Sequence, residues 1–202
     1  MLVGEGGLTG AARRWRRYRI EDDGWARDVQ LCPSPNCDAR PAGVPLSLIV
    51  VHAISLPPEG FGGRQVEAFF QNRLDPGEHP YFASICAMRV SAHFLIRRNG
   101  EVVQFVPAGL RAWHAGVSRW RERERCNDFS VGIELEGSDT QPFAPPQYDA
   151  LARLTDALRE RYPTIEAIAG HDEIAPGRKT DPGPYFQWAR LLDGLAVPLQ
   201  RK

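Results

Sequence analysis

Two histidines and one aspartate have the residue types and the spacing of a catalytic metal site. His52 and His171 each follow a short apolar segment predicted to be a buried strand, and open sheets place ligands at the ends of such strands. Asp181 lies ten residues after His171 in a polar loop bounded by glycine and proline, so the loop can fold back toward this histidine. Two histidines and a carboxylate bind catalytic zinc and leave the fourth tetrahedral position to water. Either histidine taken alone would instead be assigned as a hydrogen-bonded structural residue.

A hydrolytic metal site also needs a proton acceptor and a group that faces the developing oxyanion. Residues 130 to 137 alternate between apolar and other side chains, which predicts a strand with Glu134 on its polar face. Gly132 on that face leaves room for a substrate, and Glu136 competes with Glu134 for the role of base. Lys179 stands two residues before the loop aspartate and would point to the same side of an extended loop. Glu134 and Lys179 are therefore the candidates, although each also fits an ordinary surface position.

The elements that must position these residues alternate between strands and helices. Residues 46 to 51 form a branched apolar run bounded by proline-rich segments, which predicts a central strand ending at His52. Asn99 and Gly100 lie between two strand-like segments and favour the tight turn of a β-hairpin. The other predicted elements are helices at 65–73, 146–162 and 185–192 and strands at 130–137 and 165–168. Together they predict an α/β fold, a single domain with a mixed central β-sheet flanked by helices.

Length and composition set the class of protein. The 202 residues suffice for one domain, 43% of them are hydrophobic, and 25 basic residues balance 25 acidic ones. These values exclude a disordered or coiled-coil chain, and zero net charge argues against a dedicated nucleic-acid binder. Four cysteines are too few for a disulfide scaffold, so free thiols are expected. Cys32 and Cys37 could begin a zinc knuckle, but the chain has no second close pair to complete it.

The first 24 residues differ in composition from the rest of the chain. They combine a glycine-rich start with arginines interleaved by aromatic residues, so residues 1–24 are predicted to be a poorly ordered extension and 25–202 the folded domain. The alternative is that the arginines and aromatic residues of this extension bind nucleic-acid phosphates. The longest strictly apolar stretch, Leu48 to Val51, is far shorter than the roughly 20 residues that span a bilayer, and the N-terminus has no signal-peptide core. We therefore expect a cytoplasmic protein that binds neither membrane nor nucleic acid.

Seven segments of the chain, in this order and spacing, closely resemble the zinc-dependent N-acetylmuramoyl-L-alanine amidases. The segments are VHAISLPP (51–58), FGG (61–63), VSAH (90–93), RAWHAG (111–116), CNDFSVGIELEG (126–137), IAGH (168–171) and KTDPGP (179–184). The resemblance runs from about Trp25 to Arg190 and leaves out the basic extension. Within the family it is strongest to the cytoplasmic enzymes that act on 1,6-anhydro-N-acetylmuramic acid peptides in cell-wall recycling.

The resemblance implies a fold, a reaction and a set of functional residues. The fold is the mixed sheet flanked by helices that these amidases share with peptidoglycan recognition proteins. The zinc ligands would be His52, His171 and Asp181, with Glu134 as general base and Lys179 as transition-state stabiliser. The enzyme would act as a monomer on anhydro-muropeptides and hydrolyse the amide between the sugar's lactyl group and L-alanine. A binding module of the same fold that recognises peptidoglycan without cutting it is the rival, and the retention of all three ligands argues against it.

The sequence also departs from the family at one position and offers further candidates for the cleft. Ala53 stands where asparagine often follows the first ligand, which would remove a substrate hydrogen bond but no ligand. Arg89 and Arg125 are candidates to bind the carboxylates of a peptide stem, because a planar guanidinium matches a carboxylate; surface arginines are the alternative. His114 is expected to line the substrate cleft, whereas His93 is expected to be a core residue or to support a ligand.

The loop from residue 56 to residue 63 lies close to the first candidate ligand. Its two prolines and three glycines preclude regular structure. We therefore expect a mobile lid over the site that substrate orders.

Overall fold

A six-stranded β-sheet forms the centre of the computed structural model, which describes residues 18–201. Its strand order is β1-β5-β4-β9-β3-β10, and two small two-stranded sheets pair β2 with β6 and β7 with β8. The strands are β1 (Gln30–Leu31), β2 (Cys37–Asp38), β3 (Leu48–Ile54), β4 (Phe94–Ile96), β5 (Val102–Gln104), β6 (Arg111–Ala112), β7 (Arg119–Trp120), β8 (Arg123–Glu124), β9 (Ser130–Glu136) and β10 (Ala167–Gly170). The β4–β5 pair is antiparallel whereas β3, β9 and β10 run parallel, so the sheet is mixed as predicted.

The two central strands, β3 and β9, place the candidate ligands beside one another. They pair in parallel along seven residues, and His52 lies opposite Glu134 in this register. Strand β3 continues to Ile54, so the predicted end at His52 is wrong by two residues and His52 stands inside the strand. Strand β10 pairs with β3 on its other side and ends at Gly170, which brings the next residue, His171, to the same edge.

The predicted hairpin is confirmed but shorter than expected. Strands β4 and β5 pair from Phe94 opposite Gln104 to Ile96 opposite Val102. Gly100 in the connecting turn has a φ of +84°, and an added Cβ there would lie 2.8 Å from a backbone oxygen. Glycine adopts such a conformation without strain, which explains the turn at this position.

Within residues 18–201, five helices flank the sheet, together with a 3₁₀ turn at Cys126–Asp128. They are α1 (Gln65–Phe70), α2 (Pro80–Ile85), α3 (Pro145–Arg161), α4 (His171–Ile174) and α5 (Trp188–Asp193). Helix α3 begins with two prolines, which suit the first turn because its amide groups need no helical acceptor. The predicted α/β class, with helices flanking a mixed sheet in a single domain, is confirmed.

The apolar core is divided by the sheet into two sides. On one side, side chains of α3 pack with Ile49, Val51 and Ile133 in one large cluster. Alternate residues of the sheet strands point to the other side, where one smaller cluster contains Leu95 of β4 and another contains Leu48 of β3. His52 and Glu134 follow the alternation to this second side, away from α3.

The start of the described chain packs onto the domain. Ile20 is buried in the large core cluster and forms an isolated bridge with Ala26. Residues 1–17, which carry most of the predicted basic extension, lie outside the described residues. Within residues 18–201, none of the helices has the length and apolar character needed to cross a bilayer. All four cysteines are free, as predicted.

Candidate metal centre and catalytic cleft

The three candidate ligands converge in the structure. The Nδ1 atom of His52 is 2.9 Å from Nδ1 of His171 and 3.3 Å from Oδ2 of Asp181. The Nδ1 atom of His171 is 3.1 Å from the same carboxylate oxygen. The loop that carries the aspartate returns to the start of α4, where the N–H of Asp172 donates to the carbonyl of Asp181 at 2.9 Å. The sequence prediction that this loop folds back toward His171 is confirmed.

The donor set fits a zinc ion. Ligands at 2.0–2.1 Å in a tetrahedron lie about 3.3 Å from one another, close to the separations of these three atoms. Both histidines are buried and Asp181 is partly buried. Among the described residues, this group is the one whose His, Cys, Asp or Glu atoms cluster as metal ligands, and it contains no cysteine. The zinc knuckle beginning at Cys32 and Cys37 therefore has no counterpart in the described part of the chain.

Burial and mutual contacts set the protonation of the ligands. Burial, together with the nearby His171, lowers the pKa of His52 to about 4. Burial raises the pKa of Asp181, but its close contacts with His171 and His52 outweigh this effect and hold that pKa below its usual range. At neutral pH the site therefore presents an unprotonated aspartate and a neutral His52, the states that bind a metal cation.

Glu134 lies in the same cleft in a setting that suits a general base. Its side chain is buried, and desolvation, assisted by the negative charge of Asp181, raises its pKa well above the usual value. Lys179 lowers that pKa by a smaller amount and is itself exposed at the rim. A raised pKa makes a carboxylate a stronger proton acceptor, as a general base needs.

Glu136, the competing carboxylate, has other partners. Its Oε1 accepts a hydrogen bond from the N–H of Gly62 at 2.6 Å, and its Oε2 accepts one from the N–H of Arg98 at 3.0 Å. It does not line the cleft that contains His52. Both oxygens thus hold backbone in place, and of the two carboxylates only Glu134 lines the cleft; its role as base stays a prediction.

The cleft around these groups has a volume of about 320 Å³. Its polar end contains the histidines, Glu134, Lys179 and Asp181. Its other walls are largely apolar and aromatic, formed by residues that include Leu56, Phe69, Phe70, Tyr81, Ile85, Met88, Val90 and Trp113. A larger cavity of about 430 Å³ is lined by three arginines and by Glu136 but by none of the candidate ligands. The smaller cleft is the candidate active site, because polar groups converge there on an apolar pocket.

The structure places the candidate substrate-binding residues differently from one another. His114 lines the cleft and also contacts a ligand, since its Nδ1 is 2.9 Å from Nε2 of His52. Arg89 donates to backbone carbonyls at the end of α2, and Arg125 pairs with Asp128 at 3.2 Å. Neither arginine is among the lining residues of the cleft. Their assignment to the peptide stem stays a prediction.

Gly132 has a different role from the expected one. A Cβ at this position would lie 2.4 Å from Cγ of His114. The space above the glycine is therefore filled by the imidazole ring of His114, and the expectation that Gly132 leaves room for a substrate is wrong.

The loop from residue 56 to residue 63 is attached to its surroundings at three points, one of which is the carbonyl of Gly63, which accepts from Nη1 of Arg97 at 2.9 Å. Gly62 donates to Glu136, as described above, and Oε2 of Glu59 accepts hydrogen bonds from Ser138, Thr140 and Gln141 at 2.8–2.9 Å. Leu56 and Pro58 of the loop line the cleft. The loop thus borders the site in a held conformation, and its mobility stays a prediction.

Comparison with known proteins decides the family. The family model described as N-acetylmuramoyl-L-alanine amidase matches residues 42–184, a range that contains all five candidate metal and catalytic residues. The chain belongs to the N-acetylmuramoyl-L-alanine amidase family. The enzyme class predicted from the sequence is thereby confirmed.

Curated amidases of the family match nearly the whole chain. The 1,6-anhydro-N-acetylmuramyl-L-alanine amidase AmpD of Citrobacter freundii is 58% identical over 182 residues, which cover 90% of this chain and 97% of the relative. The enzyme of the same name from Escherichia coli is 55% identical over 171 residues, covering 84% and 93% respectively.

Solved structures of amidases agree with the fold. The crystal structure of a selenomethionine AmpD derivative matches with a TM-score of 0.84 at 56% identity, covering 86% of this chain and 98% of that one. A complex of the Escherichia coli amidase AmiD with anhydro-N-acetylmuramic acid-L-Ala-D-γ-Glu-L-Lys matches with a TM-score of 0.55 at 30% identity, covering 88% and 66%. These amidases share the mixed sheet described above.

Proposed function

We propose that the protein is a zinc-dependent amidase of peptidoglycan recycling that hydrolyses the amide bond between 1,6-anhydro-N-acetylmuramic acid and L-alanine of muropeptides. The observation that carries the proposal is the convergence of His52, His171 and Asp181 beside the buried Glu134 in one cleft. The names of the most similar curated relatives, which cover most of the chain, support the substrate.

The proposed reaction adds water across the amide: a C–O bond forms at the lactyl carbonyl, and the bond to the alanine nitrogen breaks. A zinc ion held by His52, His171 and Asp181 would polarise that carbonyl and acidify the attacking water. Glu134 takes the proton of the water and then transfers it to the leaving amine, which its raised pKa permits. Lys179, at the rim of the same cleft, donates to the oxygen that becomes negative.

The apolar walls of the cleft suit the sugar and the short side chain of alanine. An anhydro sugar is bicyclic and has fewer hydroxyl groups than the same sugar without the 1,6-anhydro bridge. It therefore loses less hydration when it is buried against aromatic residues. Arg89 and Arg125 are proposed to meet the carboxylates of the peptide stem once substrate is bound.

Zinc content and activity of ligand variants test the metal assignment. His52→Ala, His171→Ala and Asp181→Ala should each lose hydrolysis and most of the bound zinc, because each removes one of three protein ligands. His79→Ala is the matched control, since His79 caps α2 through Nδ1 and is not a member of the ligand group. Full zinc occupancy in one of the three variants would remove that residue from the ligand set.

Several parts of the proposal extend beyond the site. The protein is proposed to act in the cytoplasm as a monomer, without binding nucleic acid or membrane. Residues 25–202 are proposed to form the amidase domain, with residues 1–24 as an extension. A purified protein that binds zinc and muropeptide but releases no alanyl peptide would instead be the non-cutting recognition module.

A further inference from the structure

A chain of hydrogen bonds extends from the first candidate ligand into the protein. Nε2 of His52 is 2.9 Å from Nδ1 of His114, and Nε2 of His114 is 3.2 Å from Oγ of Ser130. The hydroxyl of Ser130 donates to the carbonyl of Cys126 at 2.6 Å. The two imidazole rings meet edge to face, with centroids 5.0 Å apart.

The direction of these hydrogen bonds follows from the last link. A serine hydroxyl has one proton, and here it is given to the Cys126 carbonyl, so Ser130 accepts from Nε2–H of His114. A neutral His114 then has an unprotonated Nδ1, which accepts from Nε2–H of His52. The Nδ1 lone pair of His52 is thereby left facing Asp181 and His171.

The second histidine is oriented by the next residue of the same segment. Nε2 of His171 is 3.2 Å from the carbonyl oxygen of Ala115, which can only accept. Arg178 donates to that carbonyl as well, at 2.6 Å. Nη2 of Arg178 is also 3.4 Å from Nε2 of His171, but its much shorter bond goes to the carbonyl, so the carbonyl is the partner of Nε2. We infer a proton on Nε2 of His171 too, and its Nδ1 faces the same point as Nδ1 of His52.

One side chain holds this segment in place. Oδ1 of Asn127 accepts the backbone N–H groups of His114 and Ala115, at 3.2 and 2.8 Å. The imidazole of His114 rests on Gly132, where a Cβ would collide with it. The dipeptide is thus fixed both through its backbone and through its side chain.

We propose that the His114–Ala115 dipeptide, held by Asn127, is the positioning element of the metal centre. Its two acceptors, Nδ1 of His114 and the carbonyl of Ala115, keep a proton on Nε2 of both histidines and direct both Nδ1 atoms at the ion. The inference rests on the proposed metal centre. His114 is a positioning residue in this account, whereas the sequence suggested contact with substrate alone.

The first test uses the metal-free wild-type protein, so that it does not depend on zinc or activity. The nitrogen shifts of a ¹⁵N-histidine-labelled sample report which ring nitrogens bear protons, and the chain has only five histidines to assign. We expect a proton on Nε2 of His52 and of His171 at neutral pH, and these Nε2 signals alone decide the test, because without the ion a further proton can lie between the two Nδ1 atoms and Asp181. An unprotonated Nε2 on either ring would overturn the inference. His93 serves as an internal reference, because Gly132 donates to its Nδ1 and its Nε2 faces the Leu110 carbonyl.

The second test measures zinc affinity in two isosteric pairs. At position 114, His114→Asn keeps an acceptor oxygen near the place of Nδ1, whereas His114→Leu has nearly the shape of asparagine but no acceptor. At position 127, Asn127→Asp keeps the acceptor oxygen and Asn127→Leu removes it. Loss of a group that orients a ligand lowers metal affinity about 10- to 100-fold. We expect that loss in both leucine variants and recovery of most of the affinity in His114→Asn and Asn127→Asp.

The outcomes separate this inference from the proposed function. Equal zinc affinities within each pair, with equal losses of thermal stability, would show that His114 and Asn127 only fill space and would overturn the positioning role. A wild-type protein that binds no zinc in the competition assay would contradict the proposed function, while the protonation result on the metal-free protein would still decide the orientation of the histidines.

Discussion

Gly132→Ala should weaken the metal centre although the residue contacts no ligand. The new Cβ would lie 2.4 Å from Cγ and 2.6 Å from Nδ1 of His114, whereas ordinary contacts begin near 3.4 Å. The ring must therefore move by about 1 Å, and β9 cannot yield because it is paired on both sides. The bond from Nε2 of His52, now 2.9 Å long, would then exceed the range of a hydrogen bond.

The size of the effect follows from these distances. Overpacking of a buried site costs about 1–3 kcal/mol, and in a domain of this size each kcal/mol lowers Tm by about 2–4 °C. Loss of the hydrogen bond to His52 should lower zinc affinity about 10- to 100-fold.

Competition with a fluorescent chelator measures the zinc affinity, and calorimetry measures Tm. Gly109→Ala is the matched control, because an added Cβ there lies 3.7 Å from the nearest atom, the Tyr162 hydroxyl. In a His114→Ala background, Gly132→Ala should cost little, since the ring it collides with is gone. Wild-type zinc affinity in Gly132→Ala, or an equal loss of Tm in both backgrounds, would refute the reasoning.

Four further predictions address the other groups of the site. Glu134→Gln should keep zinc but lose about 10²- to 10⁴-fold in kcat, and zinc loss would contradict its role as base. Lys179→Ala should keep zinc and lose about 10²- to 10³-fold in kcat, whereas a change in KM alone would indicate a substrate contact. Glu136→Leu removes both acceptor oxygens, including the one that binds the N–H of Gly62, so hydrogen exchange at residues 56–63 should accelerate while zinc content stays constant; unchanged exchange would show that the loop is held elsewhere. Burial lowers the pKa of His93 to about 3, so between about pH 6.5 and pH 3 this histidine is protonated in the unfolded chain but not in the folded one. The free energy of unfolding of the metal-free protein, measured with denaturant, should therefore decrease as the pH is lowered. Constant stability from pH 7 to pH 4 would contradict this.

The parts of the fold predicted from the sequence are those with a strong local pattern. Propensity and spacing specify three of these elements: β3 by its run of β-branched residues, the hairpin by its asparagine–glycine turn, and α3 by its periodic apolar face. Among the strands of residues 18–201, five have only two residues each, and a pair of residues has no periodicity to detect. The expected polar face of β9 is buried instead, because the segments after β5 cover that side of the sheet.

The sequence predicted the residue types of the candidate site but not the hydrogen bonds and contacts that hold them in place. Alternation placed Glu134 and Glu136 on one face and could not separate them; the separation comes from the backbone N–H groups that occupy Glu136. The Ala115 carbonyl has no signature in the sequence, since every residue has one. A glycine within a strand does signal close approach of another group, and at Gly132 that group is the imidazole of His114 rather than a substrate.

Product analysis of an anhydro-muropeptide tests the central claim most directly. The purified protein is incubated with 1,6-anhydro-N-acetylmuramyl peptide, with and without a chelator, and with zinc restored after chelation; products are identified by mass spectrometry. The account predicts free anhydro sugar and a peptide that begins with L-alanine, no products under chelation, and recovery with zinc. Cleavage at any other bond, or full activity in the chelated protein, would contradict it.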